Sequence, residues 1–371
     1  MLKVLIASHA GVLEVNRSVF LELRSYGIEV SFLVPNFWRG DLIQNLQFQK
    51  GESEREIQFF PLDTILSGNG SLFLYRGLFS VPKDFDILLI DEEPWSLAAL
   101  QLSLWAGKRK KIFYTKQNLK KTIPWIFRQI QKLVFASSTA ALSVEQEVAE
   151  VLRWKGYQKE IFDFPHSYDA QLFRPLDSRA IADSRTTLGL DPKLVTVIYC
   201  GRLTEEKGIA DLLEVMEKMP ETSVQFLIVG NGPWKEQVAQ VADKKKNVKL
   251  IAAIPHLLIG KTMACGDIFI LPSRTRKNWK EQFGRVIIEA MACGAMVIGS
   301  DSGAIARVIQ RCGGGVCYPE GDRQELFRLV TKFAEEPESR RLLQEKGRDY
   351  VSSEFTHQAL AKSLAGFLRR L

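Results

Sequence analysis

The 371-residue sequence has few residues suited to holding a metal or a disulfide framework. Its five cysteines are odd in number and form no CxxC pair, and none of its four histidines stands at ligand spacing from a cysteine or another histidine. This argues against a disulfide scaffold and a structural zinc site, and it predicts free thiols in a reducing compartment. Apolar runs such as DILLI and LVTVIY are strand-length, well short of a membrane span. The opening MLKVLIASHAGVL has one basic residue and a very short apolar stretch, so it does not read as a secretory signal. A cytoplasmic protein is expected, with the inner face of the membrane as the place where it would dock. The loop after the first apolar run has no GxGxxG, which removes the dinucleotide fingerprint. No RNP-like or KH-like motif accompanies the positive charge, so nucleic acid is not an expected partner.

What is present suits two soluble domains. The length is comfortable for two cores, and 46% hydrophobic with 25% charged residues is an ordinary globular composition. The formal net charge is +7. Its distribution says more than its sum, because nine Lys or Arg and no acid lie between Lys108 and Lys132. Within that run KKTIPWIFRQIQKLVFAS (120–137) predicts a basic helix with Trp and Ile interleaved. Such a helix can lie on anionic lipid with its cations among the headgroups, or pack on its own sheet with a solvated basic face.

KVLIAS, a loop, the helical run SVFLELRSYG and then EVSFLVP make a β-loop-α-β opening, which predicts an α/β fold with a doubly wound parallel sheet. LQFQK and IQFFPL are expected to extend that sheet. Asp84 and Asp86 form a DxD, but it precedes the strand DILLI instead of following it, so both read as turn acids. DEEPWS lies beyond the other end of that strand, where open α/β sheets bind ligands. Glu92 and Glu93 are therefore candidates for acceptor hydroxyls, or are acids at a helix start beside Pro94. His9, in the first loop, is a candidate contact or an ordinary loop residue.

The chemistry gathers in two stretches of the second half. EQFGRVIIEAMACG (281–294) places Glu281 before an apolar helix and Glu289 on it, with Gly284 where loop becomes helix. Unpaired N–H groups there suit a phosphate, and two carboxylates suit sugar hydroxyls. Alone, two acids at that spacing are more often simply solvated. Upstream, the strand LVTVIYC runs into GRLTEEKG (201–208), where Arg202 offers a planar fork and Lys207 a point charge to diphosphate oxygens. Gly230 and Gly232 end a further buried strand, where they let the backbone approach a ligand or simply make the turn. Together the two stretches describe a nucleotide-sugar site.

GRLTEEKG, followed by LPSRTRKNWKEQFGRVIIEAMACGAMVIGSDSGAI, resembles the retaining family-4 glycosyltransferases of the GT-B fold, most clearly over 195–319. The resemblance implies two doubly wound Rossmann-like domains facing across a cleft. One is expected at 1–175 for the acceptor and one at 176–354 for the donor, with a last helix near 355–371 packing back on the first. It implies Glu281 on the donor sugar, Glu289 on the ribose, and Arg202 and Lys207 on the diphosphate. Gly201, Gly230, Gly232, Phe283, Gly284, Arg285 and Val286 would complete the donor site. Gly11 is the one glycine left in the first loop, where relatives carry a pair near the phosphate. Gln117 stands where many relatives have a histidine close to the anomeric centre. An amide can donate to a hydroxyl or phosphate but cannot shuttle a proton near neutral pH. Front-face attack, in which the departing phosphate takes the acceptor proton, tolerates that change.

The implied reaction is retaining hexosyl transfer from a nucleoside-diphosphate sugar to a saccharide, lipid-linked or small-molecule acceptor. No cofactor or metal is expected, since Arg202 and Lys207 stand where a cation would. An anionic membrane surface, met through the run from Lys108 to Lys132, is a candidate further partner. A catalytically silent nucleotide-sugar-binding or membrane-associated scaffold of the same fold is the rival from another class. A sugar-nucleotide epimerase would need an acid/base set not found here, and a phosphorylase would need a cofactor-lysine context.

Overall fold

Short runs of Val, Ile, Leu and Phe become buried parallel strands, since a strand covered on both faces has no polar side. The computed structural model describes residues 1–40, 45–252 and 254–371, with His256 described by its backbone alone. The chain divides into two units, Met1–Pro165 with His357–Leu371, and His166–Thr356.

In the first unit the strands are β1 (Leu2–Ser8), β2 (Ile28–Pro35), β3 (Gln58–Leu62), β4 (Ile87–Asp91), β5 (Lys110–Thr115), β6 (Ala140–Ser143) and β7 (Ile161–Asp163). They pair in the order β7-β6-β5-β4-β1-β2-β3, all parallel. The second unit has β8 (Val195–Cys200), β9 (Val224–Val229), β10 (Val248–Ile251), β11 (Ile268–Leu271), β12 (Met296–Ser300) and β13 (Gly315–Tyr318). These pair as β10-β9-β8-β11-β12-β13, again all parallel. Each unit is doubly wound, and each sheet reverses its strand order beside its first strand. Ligands of such sheets bind beyond the carboxyl ends at that reversal. The places to examine are the ends of β1 and β4 in one unit and of β8 and β11 in the other.

Several local expectations change. IQFFPL supplies the edge strand β3, but LQFQK does not extend the sheet, because Leu46–Gln47 pairs antiparallel with Phe37–Trp38 in a separate hairpin. The basic helix starts at Trp125, not near Lys120, since Pro124 sits at its N-cap and disfavours helical geometry in the residue before it. The 166–175 segment belongs to the second unit, so the boundary falls ten residues before the one expected at 175/176. The cause is its own hydrogen bonding, with Tyr168 donating its N–H to the Phe355 carbonyl at 3.0 Å and Phe173 buried. The last helix, His357–Arg370, packs on Ser18–Leu21 and Glu22–Tyr26 of the first unit.

The first loop is locked by a pair that no spacing in the sequence announces. Arg17 and Glu54 are fully buried and joined by two hydrogen bonds of 2.6 Å, while Arg17 also donates to the carbonyls of Gly11 and Val12. Removing one partner of a buried pair leaves an uncompensated charge. Arg17→Leu should therefore lower unfolding free energy by about 3–5 kcal/mol in urea titration. A loss under about 1 kcal/mol, the value of a solvated pair, would contradict this account.

Candidate active site

In the second unit the loop after β8 is tied to the loop after β9. Gly201 donates to the Val229 carbonyl at 3.0 Å and Leu203 to that of Asn231 at 2.9 Å. A single 3-10 turn, Glu205–Lys207, then ends at Gly208 with φ +69°. A Cβ at Gly208 would collide with the Pro272 carbonyl oxygen, so only glycine lets the loops after β8 and β11 touch. That contact brings Lys207 to Glu281, with Nζ 2.6 Å from Oε2. Ser273 Oγ donates to the same oxygen at 3.2 Å, and the Trp279 ring lies 5.0 Å from the ammonium. Behind Glu281, Ala304 donates to its carbonyl at 3.1 Å, and Gly303, with φ +57°, leaves that carbonyl the space a Cβ would occupy.

The helix Arg285–Ala292 starts from Gly284, whose φ of +76° lies in the left-handed region. Its first turn has N–H groups with no partner inside the helix, the usual place for an anion. One turn in, the Glu289 Oε1 stands 3.0 Å from the Arg285 Nε. Burial pushes the Glu289 carboxyl above its ordinary range, and Arg285 pulls in the opposite direction. Gly201, Lys207, Glu281, Gly284, Arg285, Val286 and Glu289 all line one cavity of about 340 Å³. Its remaining wall is largely apolar, from Phe173, Tyr199, Cys200, Ile259 and Leu271. Size and composition are those of a small-ligand site.

Other expected members lie elsewhere. The Arg202 side chain is half exposed, 3.4 Å from Glu206, and does not line the cavity. Phe283 is buried against His166 and Phe355, so its ring is packing and not a ligand contact. Gly230 and Gly232 press their backbones on Gly201 and Leu203, so the close approach they allow is between two loops. Two further arginines of the loop after β11 are engaged within the unit, Arg274 forked onto the buried Asp211 and Arg276 paired with Glu205. Among the described residues no group of three or more His, Cys, Asp or Glu could hold a metal ion.

The reversal in the first unit holds a second polar cluster. His9 follows β1, and Glu92 and Glu93 follow β4. Glu92 accepts from the His9 N–H at 2.7 Å and meets His9 Nδ1 at 2.6 Å. Asp91 accepts from Ser8 Oγ at 2.8 Å and Lys116 Nζ at 2.5 Å. Glu93 takes the Thr115 hydroxyl at 2.5 Å and the Lys116 N–H at 3.0 Å. The two glutamates are thus turned into the protein, held by side chains and backbone of their own unit. Gly11 is likewise engaged, its N–H on Ser8 Oγ and its carbonyl under Arg17. Gln117 Oε1 accepts from the Leu119 N–H at 3.0 Å, which fixes the amide along its own loop.

The reading from sequence did not single out Phe173, Ile259, Leu271 or Trp279. Trp279 carried a signal in WKEQFG, an aromatic two residues before the key glutamate. Apolar wall residues carry none, because they look like any core position.

Residues 181–350 match the family model of glycosyl transferases group 1. A GDP-mannose-dependent monoacylated alpha-(1-6)-phosphatidylinositol monomannoside mannosyltransferase of Corynebacterium glutamicum is 28% identical over 210 residues, 55% of each chain. The chain spans about half the length of the curated relatives it matches. Two solved structures share the fold over nearly the whole length. They are HepE of Anabaena in complex with UDP, with TM-score 0.79, 16% identity and 100% of both chains covered, and WaaG, a glycosyltransferase involved in lipopolysaccharide biosynthesis, with TM-score 0.68, 14% identity and 98% and 99% covered. With both doubly wound sheets and the 181–350 match in hand, the fold is GT-B, and the second unit is similar over those residues to the glycosyl transferases group 1 family.

Proposed function

We propose that this chain is a retaining family-4 glycosyltransferase, moving a hexosyl unit from a nucleoside-diphosphate sugar to an acceptor without a bound metal. The observation that carries the reading is the cavity where Lys207, Glu281 and Glu289 converge at the start of a helix. Cation and helix end suit a diphosphate, and the two carboxylates suit the hydroxyls of a hexose and a ribose. In this reading Lys207, with Arg202 from the same loop, stabilises the charge gathering on the departing diphosphate. Glu281 would exchange its contact with Lys207 for the donor sugar, and Glu289 would take the ribose. The Corynebacterium relative, named for a phosphatidylinositol mannoside, makes a lipid-linked acceptor the first class to try. The silent scaffold of the same fold is told apart by turnover, since binding alone fits both.

Charge-assisted hydrogen bonds are worth about 1.5–3 kcal/mol each. Lys207→Ala and Glu289→Ala should each weaken donor binding or transfer by roughly ten- to a hundredfold, measured by calorimetry and product formation. Unchanged values in both variants would sink the site assignment. Burial has already raised the Glu289 carboxyl, so donor affinity that needs its ionised form should fall as pH drops through a value above 4.5. Glu289→Gln should flatten that dependence, whereas an identical pH profile in the variant would count against Glu289 as the ribose ligand.

A membrane-facing role for the basic run rests on the helix Trp125–Ser137, where Trp125, Ile126 and Leu133 are exposed beside Arg128 and Lys132. Not every cation of the run contributes. Lys111 is buried with its ammonium on the Gly107 carbonyl, and Lys116 is spent on Asp91. Co-sedimentation with anionic vesicles should fall with salt and drop severalfold in Trp125→Ala/Ile126→Ala. Equal binding to neutral vesicles would reject the idea.

A further inference from the structure

Arg285 stands where a helix has least use for it. It is the first residue of the helix Arg285–Ala292, and the N-terminal end of a helix favours negative charge over a cation. Its partner is Glu289, one turn on. Pairs at that spacing stabilise a helix better with the acid first, and here the base comes first. Helix stability therefore does not account for the pair. Both residues line the cavity of the second unit, with side chains 26% and 11% exposed and the guanidinium Nε 3.0 Å from Oε1. Among the described residues that Nε has no aligned hydrogen-bond partner, so the contact is one of charge against charge. Such a contact leaves the lone pairs of the carboxylate open to hydroxyls.

We propose that Arg285 is a positioning residue of the donor site, which holds the Glu289 carboxylate ionised inside the cavity so that it can accept the ribose hydroxyls. This rests on the reading of Glu289 as the ribose ligand, and both residues belong to the second unit. A carboxylate taken out of water becomes neutral unless a cation offsets the loss of hydration. Burial does push Glu289 above the ordinary carboxylate range, and Arg285 is the charge that pulls it back. The other ionisable groups near the cavity do not provide that charge. Lys207 lies 2.6 Å from Glu281, and Arg202 lies against Glu206 and does not line the cavity. Burial pushes the Tyr199 phenol well above its ordinary range, the Cys200 thiol up to about 12, and the Cys293 thiol upward as well. All three stay neutral where Glu289 titrates. Without Arg285 the Glu289 carboxyl keeps its proton to higher pH. Donor affinity that needs the ionised form is then lost at a higher pH on the way down.

The test compares the full-length wild type with Arg285→Leu, Arg285→Lys and Glu289→Gln. In protein carrying carboxyl-labelled glutamate, the Glu289 carbon resonance is the one missing from Glu289→Gln, and its titration needs no ligand. In Arg285→Leu it should titrate at a pH higher by about one to three than in the wild type, the range for an adjacent opposite charge. Arg285→Lys keeps the charge and should restore most of the wild-type behaviour. Calorimetry with UDP and GDP from about pH 5 to 9 then reads the consequence for binding. With the nucleotide that binds, Arg285→Leu should match the wild type near pH 9 and lose about tenfold in affinity near pH 6. Should Arg285→Leu fail to fold, Arg285→Gln removes the charge with less change of shape and makes the same comparison. A Glu289 resonance that does not move overturns the proposal. So does an affinity loss of equal size at every pH, because Arg285 would then act on the ligand directly and not through Glu289. A resonance that moves in a protein that binds neither nucleotide overturns the donor-site reading, and the role in binding with it, while the hold of Arg285 on Glu289 stands.

Discussion

A lysine and a glutamate 74 residues apart in sequence meet at 2.6 Å, and the second unit is arranged around that meeting. Both side chains are largely buried, at 17% and 11% exposure, so neither charge is well hydrated without the other. The pair exists because the loops after β8 and β11 touch, and they touch because Gly208 has no Cβ to strike the Pro272 carbonyl. Gly303 makes a parallel concession behind Glu281. Two glycines and one reversal of strand order thus place opposite charges at the mouth of an apolar-walled cavity. Such a pair is poised for exchange, because a ligand with both phosphate and hydroxyls can satisfy each partner separately.

The first unit uses the same plan for a different end. Its reversal also gathers charge, but the carboxylates are consumed internally by Ser8, His9, Thr115 and Lys116. The result is a rigid polar floor and not a set of free acceptors. Arg17 and Glu54 fix the loop that carries His9 from the other side, through the Gly11 carbonyl. Order in this loop comes from buried polar contacts where glycine pairs are missing.

Much of this was legible from the chain. Apolar runs of strand length gave the parallel sheets, and the spacing of Lys207, Gly284 and Glu289 around buried strands gave the cavity's polar members. Some errors came from side-chain direction. Phe283 sits in the right stretch, yet its ring turns into the core, and one-dimensional spacing cannot tell that orientation from one facing a cavity. Arg17 with Glu54 was invisible for a related reason, since nothing in either residue's neighbourhood marks a partner 37 positions away. The basic run was overcounted because Lys111 and Lys116 fall on or beside a buried strand, where charge must find a partner inside.

The central claim is that the cavity beside Lys207, Glu281 and Glu289 takes a nucleoside-diphosphate sugar. A thermal-shift panel of UDP-, GDP- and ADP-sugars, run with and without a chelator, tests it most directly. A ligand that binds only the folded state must raise the melting temperature. The account predicts a rise with one nucleotide series that survives chelation of divalent metal. No rise with any donor, from protein that unfolds in a single sharp transition, would contradict it.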